Sequence, residues 1–306
     1  MRTTKCLNLL FRHLLHNMSE NKAYQDDFEF HAPGIPGSSS SKTVFDAYLQ
    51  TKIALARVPK ASRGENYEAA VHTLLREKLR ADATSSKLFR KNSSADELLS
   101  QFWLARVSEA AKFMEAWRQP PKFKSIDKGF LNHFARLSVD PENIKTVEER
   151  LAEFGIVVVH ERAIPGMKVD GACFLLSSGR PVIALSLRYA RLDIYWFVLM
   201  HELSHIVAHY EKLAEPILDD FDHDNGNDIE IEANLLAANS LIPRYLWRSA
   251  NVHYNSSEKE VLELARKAET HPSIVAGRLQ KETGKHYIFA NFVNAINSRE
   301  LIFGYE

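Results

Sequence analysis

An α+β fold is expected for this chain, with a helical N-terminal region followed by a small β-sheet packed on a helical core. Three observations predict it. Residues 43–118 are helical in character, with long stretches free of Pro and Gly at Tyr67–Arg80 and Asp96–Trp117. Three short apolar, β-branched runs follow between Gly155 and Leu187, two of them separated by a turn-rich tetrapeptide. Residues 192–210 then carry apolar side chains nearly all round a helix, the pattern of a helix that is buried.

The bulk composition fits that reading. At 306 residues, 45% hydrophobic and 25% charged, the chain has material for one or two globular domains. No apolar run approaches the roughly 20 residues that span a bilayer. Two cysteines, Cys6 and Cys173, are too few for a disulfide framework, so a reducing cytoplasm is expected. The net charge of zero hides an asymmetry: residues 42–125 are basic and residues 126–306 acidic by the same margin. The expected organisation is a flexible tail and linker over 1–41, a basic helical region over 42–125, and a catalytic-type domain over 126–306.

In the tail, Leu7, Leu10, Phe11, Leu14 and Leu15 fall at helical spacing. Arg12 and His13 interrupt the apolar run and no small-residue cleavage site follows, which argues against a signal peptide. A targeting or membrane-surface helix and a natural start at Met18 both stay open. Gly34-Ile-Pro-Gly-Ser-Ser-Ser-Ser41 reads as a flexible linker. Further on, Phe102, Ala105, Ala110, Phe113 and Trp117 give apolar faces to two to four helices. Arg76, Lys78, Arg80, Lys87, Arg90 and Lys91 form a basic cluster without interleaved aromatics, so direct nucleic-acid binding is weakly supported.

From residue 139 the signals sharpen. Asp140-Pro141-Glu142 supplies an N-cap, a proline at N1 and a first-turn acid, and Gly155 is the matching C-terminal stop. Strands are expected over 155–161, 172–176 and 181–187, with Ser177-Ser-Gly-Arg180 as the hairpin turn. An edge of this sheet could hold an extended peptide by strand addition. Cys173 falls in a strand and reads as a small core residue. The acidic stretch Asp219–Asp228 imitates a calcium loop, but Gly226 stands at its seventh position and Ile231 at its twelfth, where a bidentate glutamate belongs. It reads instead as a polar loop leading into a helix over 229–243 that Pro243 stops. Residues 257–283 pair two short helices, opened by a Ser257–Glu260 capping box. Their helix-turn-helix outline lacks the usual turn glycine, and packing is the expected use.

The chemistry concentrates in His201-Glu202-Leu-Ser-His205, a complete H-E-x-x-H. Four residues apart on a helix, His201 and His205 share a face and can reach one metal ion, while Glu202 beside them can take a proton from water. A bound cation also answers the cost of burying these polar groups unpaired. A catalytic zinc keeps three protein ligands and an open position. The metzincin spacing fails, because Ala208 and Glu211 stand where its glycine and third histidine belong. His209 lies about 12 Å along the helix axis from His201, too far to share an ion with it. A glutamate on the 229–243 helix is the alternative. Glu230 is favoured, with Asn234 one turn on as a supporting amide. Glu232, pointing about 200° away around the helix, is the fallback.

The pairing of His201-Glu-Leu-Ser-His205 with Glu230-Ile-Glu-Ala-Asn234 and Leu241-Ile-Pro243 resembles the ImmA/IrrE family of zinc metallopeptidases. The nearest likeness is to the peptidase-like domain of HigA-type antitoxin regulators. Asp170-Gly-Ala-Cys-Phe-Leu-Leu, Gly179-Arg-Pro-Val-Ile-Ala-Leu, Arg191-Leu-Asp-Ile-Tyr-Trp-Phe and His271-Pro-Ser-Ile-Val-Ala-Gly-Arg-Leu279 extend it over roughly residues 95–285. The resemblance implies a zincin-like helical core, Glu230 as third Zn2+ ligand, and action on a helix-turn-helix repressor. The DNA-binding module that many HigA-like members carry ahead of this domain is not recognisable here.

The expected function is therefore a zinc-dependent endopeptidase acting on a protein substrate, a transcriptional repressor or operon-neighbour protein in a stress, mobile-element or toxin–antitoxin setting. Glu202 is the expected general base. Tyr195, His209, Tyr210 and His223 are candidates to stabilise the oxyanion. An antitoxin-like binding protein with little proteolysis is the alternative.

Overall fold

The computed structural model describes residues 95–219, 228–250 and 252–304. The tail and linker of residues 1–41, Cys6, the helices expected before residue 95, the basic cluster from Arg76 to Lys91, and His223 lie outside the described residues.

The described chain is α+β. Its helices are α1 (Ala95–Arg118), α2 (Lys128–Phe134), α3 (Val147–Ala152), α4 (Leu192–His209) and α5 (Asp228–Leu241). After these come α6 (Arg244–Ser249), α7 (Glu258–Ala268), α8 (Pro272–Thr283), α9 (Ala290–Val293) and α10 (Ser298–Phe303). The strands are β1 (Val157–His160), β2 (Gly171–Leu175), β3 (Pro181–Leu185) and β4 (Ile217–Asp219). They lie in the order β1-β3-β2-β4, with β1 parallel to β3 and the other two pairings antiparallel. β4 adds to the three strands expected from sequence. Three residues are too few for an alternating pattern to register.

Local signals place the ends of these elements. At the β2–β3 turn, Gly179 takes φ +78° and its N–H donates to the Leu176 carbonyl at 2.8 Å. Gly155, at φ +76°, ends α3, and the Ile156 N–H returns to the Leu151 carbonyl at 3.1 Å. Any Cβ there would meet the Pro121 carbonyl at 2.6 Å. Asp140 does cap its segment, accepting from the Glu142 N–H at 3.0 Å. The turn it opens is a 3₁₀ segment (Pro141–Thr146), and α-geometry starts only at Val147. A tight first turn of this kind is common where a helix begins.

Alternation along the strands divides the core into two layers. Val157, Val159, Ala172, Phe174, Val182 and Ala184 face α1, whose Phe102 and Trp103 are fully buried. Val158, Cys173, Ile183 and Leu185 face the opposite way, onto α4 and the helices around it. Burying large apolar side chains contributes about 1.5–3 kcal/mol each, so α1 is integral to the sheet. The Trp103 indole also donates to the Glu161 carbonyl at 3.0 Å. Thus a helix from the basic 42–125 region closes the sheet of the acidic 126–306 region. Fourteen of the 18 residues of α4 are buried, as its all-round apolar pattern predicts.

The two helices with the helix-turn-helix outline pack beneath α4. Both halves of the Ser257–Glu260 capping box are present on α7. Ile274, Val275 and Leu279 of α8 enter the core that holds α4. A Cβ on Gly277 of α8 would strike the Asp193 carboxylate, which Arg191 holds with two hydrogen bonds at 3.0 and 2.7 Å. Glycine at 277 therefore lets α8 approach the start of α4.

Candidate metal centre

His201, Glu202, His205 and His209 ride on α4 in the interior. Helical spacing brings His201 Nε2 within 2.9 Å of His205 Nε2. Two further elements converge on this point. The first turn of α5 delivers Glu230, whose Oε2 lies 3.1 Å from His201 Nε2 and 3.4 Å from His205 Nε2. The end of β4 delivers Asp219, whose Oδ2 lies 3.2 and 3.8 Å from the same two nitrogens. Among the described residues, His201, His205, Asp219 and Glu230 are the group whose ligand atoms all lie within 4.8 Å of one another.

The rear nitrogens of both imidazoles are held. His201 Nδ1 faces the Asn234 Oδ1 at 3.0 Å, so Nδ1 donates and Nε2 is the nitrogen turned to the cluster. His205 Nδ1 meets His209 Nδ1 at 3.1 Å, and His209 Nε2 lies 3.4 Å from the Glu232 carboxylate. A consistent proton order runs from His205 through His209 to Glu232, again turning Nε2 of His205 to the cluster. Supporting partners of this kind orient metal-binding histidines.

Glu202 is fully buried, and neither carboxylate oxygen has a hydrogen-bond partner. Burial first, then the nearby Asp219, Glu230 and Asp170 carboxyls, push its pKa well above the usual range. Burial opposes a charge on His201, but its contacts with Asp219 and Glu230 prevail and lift it to about 9. Burial likewise disfavours the Glu230 carboxylate, yet bonds from His201 and His205 hold its pKa far below normal. Burial, then the neighbouring His205, lowers His209, which suits a neutral ring. Glu202 owes its place to Gly171 of β2, where a Cβ would collide with its carboxylate and lie 2.8 Å from Val198 Cγ1.

This donor set fits a divalent cation. Two imidazole nitrogens and two carboxylates meet in an interior where Asp219 Oδ2 has no hydrogen-bond partner. Arg188, the cation on that side, is taken bidentately by Asp170 at 2.9 and 2.8 Å. Buried acids are costly where too little positive charge faces them, and here one raised histidine faces Asp219, Glu230 and Glu202. A cation at their focus removes that cost.

The family model for the IrrE N-terminal-like domain, Peptidase_M78, matches residues 151–280. Residues 151–280 belong to the ImmA/IrrE family. The match takes in all four strands, α4, α5 and most of α8, so the ImmA/IrrE domain contains every residue of the cluster. Its fold is of the metallopeptidase type. No curated protein matches the chain.

Within the ImmA/IrrE domain the sequence-derived candidates separate cleanly. His201, His205 and Glu230 are brought together, with Glu202 and Asn234 against them. Glu232, the fallback ligand, is exposed and reaches His209 instead. Of the oxyanion candidates, the Tyr195 hydroxyl is 3.1 Å from His160 Nε2, and the Tyr210 hydroxyl donates to the Gly179 carbonyl at 2.6 Å. His209 sits behind His205, and His223 lies outside the described residues. Asp219 is the residue that sequence reasoning passed over. It opens an acid-rich stretch and reads there as the edge of a polar loop. The clue was its position directly after Ile217-Leu218, where a short strand could end.

Proposed function

We propose that this protein is a zinc-dependent endopeptidase that cleaves a specific regulatory protein in the cytoplasm. His201, His205 and Glu230 are the residues that would hold the ion. A bound zinc ion would supply Lewis acidity, polarising a scissile carbonyl and lowering the pKa of water toward neutrality. Glu202 takes the proton of the attacking water on a carboxylate oxygen and returns it to the leaving amine. Asn234 and His209 hold the two imidazoles by their Nδ1 atoms, with Nε2 of each turned to where the ion would sit. A substrate helix-turn-helix repressor, or another operon-neighbour protein, is the reading that follows from family resemblance. The observation that carries the proposal is the pairing of an unpartnered, fully buried Glu202 with a converging His–His–Glu set.

Glu202→Gln should keep the fold and zinc binding and lose cleavage of the neighbour-encoded proteins, by about 100-fold or more. Zinc content, circular dichroism and gel analysis of those proteins measure the three quantities. Equal cleavage by the variant overturns the mechanism. A second reading, a regulatory protein that holds its partner without cutting it, gains support from the extra carboxylate of Asp219 in the cluster. It predicts a stable complex with an uncut partner.

A further inference from the structure

Zinc sites that catalyse leave one position open, whereas sites with four protein donors are closed. The cluster here has four: His201, His205, Glu230 and Asp219. Asp219 is 6% exposed. Its backbone is pinned in the sheet, opposite Gly171 in register, and its carbonyl accepts the Asp170 N–H at 2.8 Å. The strand alternation that sends Leu218 to the α1 layer and Ile217 to the α4 layer also sends Asp219 toward α4. Its Oδ2 is then 3.2 Å from His201 Nε2 with no hydrogen bond of its own. A buried carboxylate oxygen placed this way has a cation as its natural partner.

We propose that Asp219 is a fourth, displaceable donor to the bound cation, closing the centre in this conformation. The inference rests on the reading of His201, His205 and Glu230 as ligands. Since the β4 main chain is fixed to β2, opening requires rotation of the Asp219 side chain. An incoming substrate carbonyl or water takes the place it leaves. The protein is then a peptidase whose own edge strand competes with its substrate.

The test uses the full chain loaded with Co2+, in wild-type form and as Asp219→Ala and Asp219→Asn. Cobalt affinity is measured by competition, and access to the ion by titrating imidazole, a neutral ligand whose entry changes the cobalt absorption bands. Both variants should lose at least the roughly tenfold in affinity that a merely supporting partner contributes. Both should also admit imidazole at concentrations about tenfold below those that alter the wild-type spectrum. Asp219→Asn keeps the side-chain shape and carries the test if the alanine variant fails to fold. Unchanged affinity together with equal imidazole entry in wild type and variant overturns the proposal while leaving the three-ligand reading intact. If the wild-type chain binds no cobalt, both fall.

Discussion

At the residue scale, the site is built as much by a missing side chain as by those present. Gly171 was visible in sequence only as part of a family-like stretch, and nothing in its local pattern points at Glu202. The relation is made by packing, with β2 passing directly over α4. An added methyl at 171 overlaps the Glu202 carboxylate and crowds Val198. Overpacking of that kind costs about 1–3 kcal/mol. Gly171→Ala should therefore lower stability by that amount, displace Glu202, and reduce cleavage by about 100-fold, the usual scale of a general base. Cobalt binding should persist, since His201, His205 and Glu230 are untouched. Denaturant unfolding, a cobalt titration and a cleavage assay separate the three effects, and full cleavage by the variant would show that Glu202 has room to spare. The histidine pair was legible because helical spacing is a property of the sequence itself, and Glu230 was favoured through Asn234 one turn on and the family resemblance. Asp219 was not, because its role depends on pairing between β4 and β2, two segments far apart along the chain.

At the element scale, helices with strong patterns were legible and short pieces were not. The buried pattern of α4, the capping box of α7 and the glycine stops at 155 and 179 each have a local physical cause. A three-residue strand and a 3₁₀ entry to α3 do not announce themselves, since their conformation is decided by what they dock against. The place of α1 shows the same limit. Its place along the chain groups it with the basic stretch before it, while its inner face groups it with the sheet. Phe102→Ala discriminates between these. Removing a fully buried phenylalanine from the α1–sheet layer costs about 3–5 kcal/mol. If α1 is part of the cooperative unit, this loss appears in the unfolding transition that also releases the metal. An unchanged transition in the metal-binding unit would mean that α1 is dispensable to it.

At the scale of the whole molecule, a buried focus of like charge links folding to metal. Glu202, Asp219, Glu230 and Asp170 influence one another across the interior between β2, β4, α4 and α5, and Arg188 is committed to one of them. Without a metal, burial of Glu202 among these carboxyls disfavours its charge, and that cost draws on stability. Binding to the folded state alone stabilises it by about 2.7 kcal/mol when free metal is a hundredfold above its Kd. For a domain of this size that corresponds to a rise of roughly 5–10 °C in Tm. Stripping the metal with a chelator should lower Tm by this amount and zinc should restore it, with hydrogen exchange slowing first at the start of α5 and the end of β4. Those are the two elements that contribute a ligand from outside α4, so the metal adds a tie to the packing of α5 on α4 and to the pairing of β4 with β2. A Tm indifferent to chelator and zinc would show that the four side chains are satisfied without an ion, and the metallopeptidase reading of this fold would lose its foundation.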